Sequence, residues 1–401
     1  MQLHYDEKTE AFRSELRSWL SENVPSEEER QAEPPRSSAD MPPWARAWQR
    51  RLFDAGWLVP GWPPELGGRN ATAVEQLVYF EELARFQAMR SYNIQGLTII
   101  VPSILEYGSE MQRERYVMPS LRGEVTWCLG MSEPGAGSDL AGLSTRAEVG
   151  EESFRVTGQK VWTSGAADSD FCFCFVRTDP EAPKHRGISV LIIDMQSPGI
   201  EVRPLPELTN PEHADFSEVF FDDVEVPREN LVGELNAGWG ISAGSLAHER
   251  GMLWISQSAR MESRIEELVA LGDEPAAGGG RIGDDALYRD QVATLYVDAQ
   301  ALKFMGYRGF GKFARGESSP EHSTLKLLGS ELEQRMCQLA MEAMGPRALD
   351  VTTDTGWFGD STGPAAWSNQ YLRTFGNTIA GGTSEIQRNI IAQRVLGLPR
   401  R

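Results

Sequence analysis

The strongest constraint on this fold is a change of hydrophobic period along the chain. Phe12, Leu16 and Leu20 recur at four-residue spacing with Trp19 alongside, the stripe of an amphipathic helix. Similar patterning predicts helices over 44–55, 71–86, 98–107 and 110–116, separated by Gly/Pro clusters such as GWPPELGG. After Gly123 the period becomes two. VTWCLGMS, SFRVTGQKVWTS, FCFCFVR, ISVLIIDM, GIEVRPL and SEVFFDDVEV are short, rich in β-branched and aromatic residues, and bounded by turn formers. From Gly238 the helical period returns over 241–271, 286–313, 323–344 and 384–395. The order is therefore helical, β, helical, an α+β multidomain chain. It comprises an N-terminal α-helical domain (1–122), a middle β domain (123–235) and a C-terminal helical domain (236–401). A β layer flanked by two helical bundles is expected to form a cleft, where small molecules usually bind. Segment 25–43, with its prolines and charge cluster, is expected to be an exposed loop, and GDEPAAGGGRIGDD (272–285) a flexible connection.

Charge and cysteine usage narrow the function class. The 401 residues carry 39 Lys+Arg against 58 Asp+Glu, a formal charge of −19. A field of that sign repels phosphate backbones and anionic lipid, and no Lys/Arg block opposes it, so neither nucleic acid nor a membrane surface is expected as a partner. The amino terminus lacks a basic start followed by an apolar run, and the most apolar stretch, 187–195, is far short of a membrane span. Cys128, Cys172, Cys174 and Cys337 are too few and scattered for a disulfide framework, which points to a reducing compartment and a cytoplasmic location. Cys172-x-Cys174 has no second Cys/His pair nearby, so no metal site is predicted.

Four segments could carry chemistry. Met131-Ser132-Glu133-Pro134-Gly135-Ala136-Gly137-Ser138-Asp139 ends a strand with glycines and hydroxyls that let backbone N–H groups approach a polar ligand. It matches neither standard phosphate-binding glycine pattern, and a plain surface loop is the alternative. Gly158-Gln159-Lys160-Val161-Trp162-Thr163-Ser164-Gly165 offers an aromatic and two hydroxyls that could hold a planar heterocycle, although core tryptophans are common. In Leu246-Ala247-His248-Glu249-Arg250-Gly251-Met252-Leu253, helical spacing puts Glu249 between Leu246 and Leu253, as a desolvated base or a structural ion pair. In Ile379-Ala380-Gly381-Gly382-Thr383-Ser384-Glu385, two glycines precede a helix start whose N–H groups suit an anion or a carbonyl oxygen, or form an ordinary N-cap.

Together these segments resemble the acyl-CoA dehydrogenases over nearly the whole chain, through GWPPELGG, MSEPGAGSD, TGQKVWTSG, FSEVFFDDVEVPRENLVGE and IAGGTSEIQRNIIAQRVLGLPR. The resemblance implies a helical, β-barrel, four-helix-bundle fold, FAD as cofactor, and α,β-desaturation of an acyl-CoA thioester. It further implies a homodimer or homotetramer reoxidised by an electron-transfer flavoprotein. The positions that match flavin-ring contacts are Leu129, Met131, Ser132, Trp162, Thr163 and Ser164, and Ser138 matches a substrate contact near the thioester. Glu342-Ala343-Met344-Gly345 looks like the segment by which a neighbouring subunit completes the FAD site, with Glu342 and Gly345 as its contacts. Thr383 and Glu385 match the adenylate end.

Two departures from the family pattern matter. Many members place the catalytic glutamate directly before Gly-Thr near the carboxy terminus, where this chain has Gly381. Glu249-Arg250 matches the smaller group that carries the glutamate on the long helix before an arginine, so Glu249 is the expected base and Arg250 a substrate-side neighbour. Gly381 can still offer its N–H to the thioester carbonyl. The usual Arg-x-x-Phe-Gly contact to FAD is replaced by GGGRIGDD, with Arg281 the nearest substitute. His248-Glu249-Arg250-Gly251 followed by Trp254, with the GGTSEIQRNIIAQRVLGLPR ending, looks like actinobacterial-type members, some of which take bulky sterol-derived or branched thioesters. An acyl-CoA oxidase or flavin monooxygenase on the same scaffold is an alternative, as is a non-catalytic FAD/acyl-CoA-binding module. Because CoA is itself an anion, basic residues are expected at the substrate entrance, with the excess acidity elsewhere.

Overall fold

Leu16 and Leu20 are fully buried, and the stripe that contains them builds helix α1 (Glu7–Asn23). The computed structural model describes residues 5–209, 214–241, 253–313, 315, 321–349 and 364–399. Segment 25–43 is not the exposed loop its composition suggests. It contains a short helix, α2 (Glu27–Ala32), because Ser26 accepts a hydrogen bond from Glu29 N at 3.1 Å and three glutamates occupy the first turn, where the helix dipole favours negative charge. Beyond it Ser37, Ser38 and Ala39 are buried, drawn in by the bond from Ser38 N to the buried Asp215 carboxylate at 2.7 Å. Helices α3 (Pro43–Asp54), α4 (Ala73–Arg85) and α5 (Val101–Tyr107) follow.

Strands β1 (Trp127–Gly130), β2 (Arg146–Val149), β3 (Ser153–Ser164), β4 (Phe171–Arg177), β5 (Ile188–Asp194), β6 (Ile200–Pro204), β7 (Phe216–Pro227) and β8 (Leu231–Val232) form one sheet. Its order is β6-β7-β3-β2-β4-β5-β8, and β1 pairs in parallel with β4. The four residues of β2 and the two of β8 are too few to establish a period. In FCFCFVR, Cys172, Phe173, Cys174, Phe175 and Val176 are all buried, so β4 is covered on both faces, as a central strand must be. All four cysteines are buried and free.

Helices α6 (Leu253–Leu271), α7 (Ala286–Phe313), α8 (Glu321–Met344), α9 (Pro364–Asn377) and α10 (Ser384–Ile390) complete the order. Helix α9 has no counterpart among the periodic segments above. The 272–285 stretch is hydrogen-bonded rather than free. Ile282 N donates to Glu274 O at 2.9 Å, Gly283 N donates to Gly272 O at 2.7 Å, and Pro275 bridges Arg281.

By their contacts the described residues form two compact units, one drawn from Met1–Leu20, Ala73–Ala88 and Arg250–Arg401, the other from Ser21–Thr72 and Met89–Glu249. In the first, α6 packs on α7 and α8, and α8 on α9, around Met261, Leu268, Leu302, Met336 and Ala340, with Leu77 of α4 joining this core. Arg17 pairs with the buried Glu82 at 2.6 Å, and Tyr307 donates to Glu81 at 2.6 Å, fastening α1 and α7 to α4. In the second unit the sheet encloses Phe154, Val156, Cys172, Cys174, Leu191 and Ile193. Asn93 ties the preceding helical segment to β1, accepting from Trp127 N at 3.0 Å and donating to Trp127 O at 2.8 Å. No helix among the described residues is long and apolar enough to cross a membrane.

Candidate active site

Two of the four singled-out segments meet in the sheet-containing unit. β1 ends at Gly130, and Val161 N of β3 donates to Ser132 O at 2.9 Å, so Met131-Ser132 lies alongside Val161-Trp162. The β3–β7 register shifts between Lys160 and Thr163, and Trp162 within that bulge takes a left-handed backbone, φ 59°. Its indole is 64% exposed and meets the Phe216 ring edge-on, with centroids 6.1 Å apart. Leu129, Met131, Ser132 and Ser164 are half-buried and Thr163 is buried. Gly165, φ 69°, ends the segment where a Cβ would come within 2.8 Å of Ala39 N, so a side chain there would displace this turn.

Beneath these strand ends lies an ion pair that neither motif discloses alone. Lys160, fully buried, places Nζ 2.8 Å from Glu133 Oε1 and donates to Met131 O at 3.2 Å. Glu133 also accepts from Ser144 N at 2.6 Å, Ser144 Oγ at 2.8 Å and Thr145 N at 2.9 Å. Burial opposes ionisation of Glu133, but the Lys160 ammonium and these donors outweigh it and hold the carboxyl down at about 2. A signal for Lys160 did exist. It follows Phe154 and Val156 on the inward parity of β3, where a lysine must find a partner.

Ser138 is exposed on the loop that follows, and its neighbour Asp139 accepts from Lys184 Nζ at 2.7 Å. Lys184 begins a Lys-His-Arg run, exposed throughout, on the β4–β5 loop, and His185 packs its ring 4.5 Å from that of Trp239. Arg177 holds both loops in place, donating to Ala141 O at 2.6 Å and to Lys184 O at 2.8 Å. Lys184 therefore stands beside Ser138, paired with Asp139.

The carboxy-terminal motif is organised by its own helical unit. Gly381 and Gly382 both have left-handed φ, 64° and 98°. Their carbonyls accept from Gln387 Nε2 at 3.1 Å and Lys326 Nζ at 2.7 Å. Thr383 caps α10 by accepting from Ile386 N at 3.2 Å, and Glu385 lies exposed in the first turn. Thr383 and Glu385 line a cavity of about 370 Å³ with Glu331, Arg335, Thr378 and Arg388. Glu342 is exposed near the end of α8, accepting from Gln338 at 2.8 Å, and Gly345 follows with φ 58°. Arg281 is engaged locally by Asp273 at 3.3 Å and Asp284 at 3.6 Å. Glu249 and Arg250 lie outside the described residues.

Comparison with known proteins decides the family. Models of the N-terminal, middle and C-terminal domains of acyl-CoA dehydrogenases match residues 6–124, 128–224 and 236–396. The chain belongs to the acyl-CoA dehydrogenase family. It is 35% identical over 395 residues to acyl-CoA dehydrogenase IpdE1 of Mycobacterium tuberculosis, covering 98% of each protein. Among solved structures it resembles the ChsE4-ChsE5 complex of the same species, with TM-score 0.81, 32% identity and full coverage of both chains. It also resembles the Tcur3481-Tcur3483 steroid ACAD, with TM-score 0.81, 27% identity and full coverage of both. The protein is thus an oxidoreductase, an acyl-CoA dehydrogenase with the three-domain architecture of its family, which implies a flavin cofactor. The strand ends fit such a group. An exposed indole, held edge-on by Phe216, stands beside the half-buried hydroxyls of Ser132 and Ser164, and a planar heterocycle needs such a wall with polar edges.

Proposed function

We propose that this acyl-CoA dehydrogenase holds FAD and oxidises the α,β-bond of an acyl-CoA thioester with Glu249 as its base. The observation that carries the reading is the joining of Met131-Ser132 to the bulged Trp162 segment by the Val161–Ser132 bond, the two stretches that match the family's flavin-ring contacts. Leu129, Met131, Ser132, Trp162, Thr163 and Ser164 would hold the ring, and Thr383 and Glu385 the adenylate end. Glu342 and Gly345 would come from a second copy of the chain, which makes self-association as a homodimer or homotetramer part of the site. When bound, the flavin supplies the acceptor for the substrate's β-hydrogen, taken as hydride.

The chain's own residues have three tasks. Glu249 takes the α-proton, and its Leu246 and Leu253 neighbours, with a bound acyl chain, exclude water and make the carboxylate a stronger base. Gly381 N–H donates to the thioester oxygen as negative charge develops there, a role that needs no side chain. Ser138 and Arg250 steady the thioester end of the substrate. An electron-transfer flavoprotein is the proposed electron acceptor. A bulky sterol-derived or branched acyl group is the proposed substrate class, supported by likeness to a protein described as a steroid ACAD and by the HERG-x-x-Trp254 pattern.

The test uses Glu249→Gln. The purified variant should keep a yellow, FAD-loaded form yet fail to bleach anaerobically with acyl-CoA thioesters that bleach the wild type. Full bleaching would remove Glu249 from the mechanism.

A further inference from the structure

Burying a lysine and a glutamate together is seldom the most stable way to fill a core, since apolar residues of similar volume often do at least as well. Lys160 and Glu133 nevertheless form such a pair, and its contacts converge on one place. The Lys160 ammonium reaches both the Glu133 carboxylate, at 2.8 Å, and the main-chain oxygen of Met131, at 3.2 Å. One residue further on, Val161 N bonds Ser132 O at 2.9 Å. Glu133 closes a tight turn with Ala136 through mutual backbone bonds of 2.9 and 3.0 Å, and its carboxylate holds Ser144 and Thr145 at the approach to β2. The pair therefore pins three segments, 131–133, 144–145 and 160–161, immediately before the bulge that presents Trp162.

We propose that Lys160 and Glu133 are positioning residues for the flavin, their buried ion pair fixing the Met131-Ser132 main chain against the bulged Trp162-Thr163-Ser164 segment. The inference rests on the reading that these two stretches hold the flavin ring. Both side chains are buried, so neither is open to contact with a bound ring. Lys160 acts on it through the Met131 carbonyl and through the strand that carries Trp162, and Glu133 through its hold on Lys160 and its own place next to Ser132. Small displacements of groups that orient a bound reactant have large effects, which explains the retention of a costly pair at this point.

The experiment titrates apoprotein with FAD, following flavin fluorescence, and records the thermal melt of each apoprotein. Lys160→Met leaves the Glu133 carboxylate buried without its cation, so the apoprotein should melt lower and FAD should bind about tenfold or more weakly. The decisive protein is the double variant Lys160→Met/Glu133→Gln. It removes both buried charges and keeps one side-chain acceptor, for Ser144 or for Thr145 but not for both, so it remains informative even where the single variant does not fold. It should recover melting temperature toward wild type while its FAD affinity stays about tenfold or more below wild type, with a shifted visible flavin spectrum. A double variant that binds FAD as tightly as wild type would overturn the positioning role and leave the flavin reading intact. Wild-type apoprotein that binds no FAD would overturn the flavin reading itself and this inference with it.

Discussion

Trp162 and Phe216 face each other across the β3–β7 pair, ring centroids 6.1 Å apart and planes 84° from parallel, while the Trp162 indole stays 64% exposed. An aromatic this large, ring-paired to Phe216 and largely exposed, is open to the flavin proposed above. Its backbone agrees, since a left-handed φ of 59° costs a non-glycine residue about 1 kcal/mol or more. Trp162→Gly relieves that strain and forfeits an edge-on ring pair worth about 1 kcal/mol. The two nearly cancel, so the apoprotein should melt within a few degrees of wild type while FAD affinity falls about tenfold. A large drop in melting temperature would show that the indole serves the fold instead.

The pH dependence of stability should expose Glu133. Its carboxyl ordinarily titrates near 4.5 and is held at about 2 in the folded chain. A folded value below the unfolded one means that the contribution is complete above about pH 4.5 and is lost as pH falls toward 2, a few kcal/mol in all. Glu133→Gln should therefore be destabilised at pH 7, where Lys160 has lost its carboxylate, and the gap from wild type should narrow steadily below pH 4.5. Melting curves of both proteins from pH 7 down to pH 3 check this. A gap that stays constant would mean that the pair is not ionised as described.

Gly381 offers a test in the helical unit. A Cβ there meets nothing within 4 Å, so Gly381→Ala carries only the strain of φ 64°, about 1 kcal/mol. Its melting temperature should drop by a few degrees, and kcat should fall as the chain relieves that strain by turning the peptide proposed to donate its N–H. A variant with unchanged kcat would take the thioester contact away from this peptide.

Much of the fold was legible because period and punctuation agree. SFRVTGQKVWTS and FCFCFVR coincide with β3 and β4, and the predicted 286–313 helix coincides with α7. The failures have local causes. Segment 25–43 looked like a loop because Ser26 capping and the Asp215 bond to Ser38 leave no periodic trace in composition. Helix α9 carries its own stripe, Trp367, Tyr371 and Phe375 at four-residue spacing, yet lies outside the predicted segments, and strand β2 alternates as Arg-Ala-Glu-Val but over only four residues. At the proposed site, Met131, Ser132 and Trp162 could be singled out from motifs, but Glu133–Lys160 spans 27 residues and Trp162–Phe216 joins different strands, so neither contact could be read along the chain. Arg177 bonds only carbonyls of the loops it clamps, which no side-chain pattern reveals.

The thiols supply a check on packing. Cys128, Cys172, Cys174 and Cys337 are buried, and hydrogen bonding to Cys128 and burial push the Cys172 thiol well above its ordinary value. Burial raises Cys337 to about 12. Since the thiolate is the reactive form, a disulfide reagent at pH 8 should titrate none of the four in the native protein and all four in denaturant. A fast-reacting native thiol would contradict the packing around β1 and β4 or, for Cys337, the packing of the helical core.

The net charge of −19 makes the last prediction the most discriminating, because a CoA thioester is itself polyanionic. Lys184, His185 and Arg186 form an exposed run in an otherwise acidic chain, and Lys184 lies 2.7 Å from Asp139, next to Ser138. Part of its charge is therefore already met by Asp139, whose carboxyl is lowered first by the hydrogen bond from Lys184 and then by its charge. Lys184→Glu reverses one charge and leaves a carboxylate facing Asp139, so the loop should repel CoA phosphates. KM for acyl-CoA should rise by about tenfold at low salt with little change in kcat, and the difference should shrink as ionic strength screens the loop. Arg155→Glu, also exposed but paired with Asp223 and Glu225 on the β3–β7 surface, should leave KM unchanged. Equal effects from both substitutions would mean that only total charge matters, and that the Lys-His-Arg run is no particular entrance for CoA.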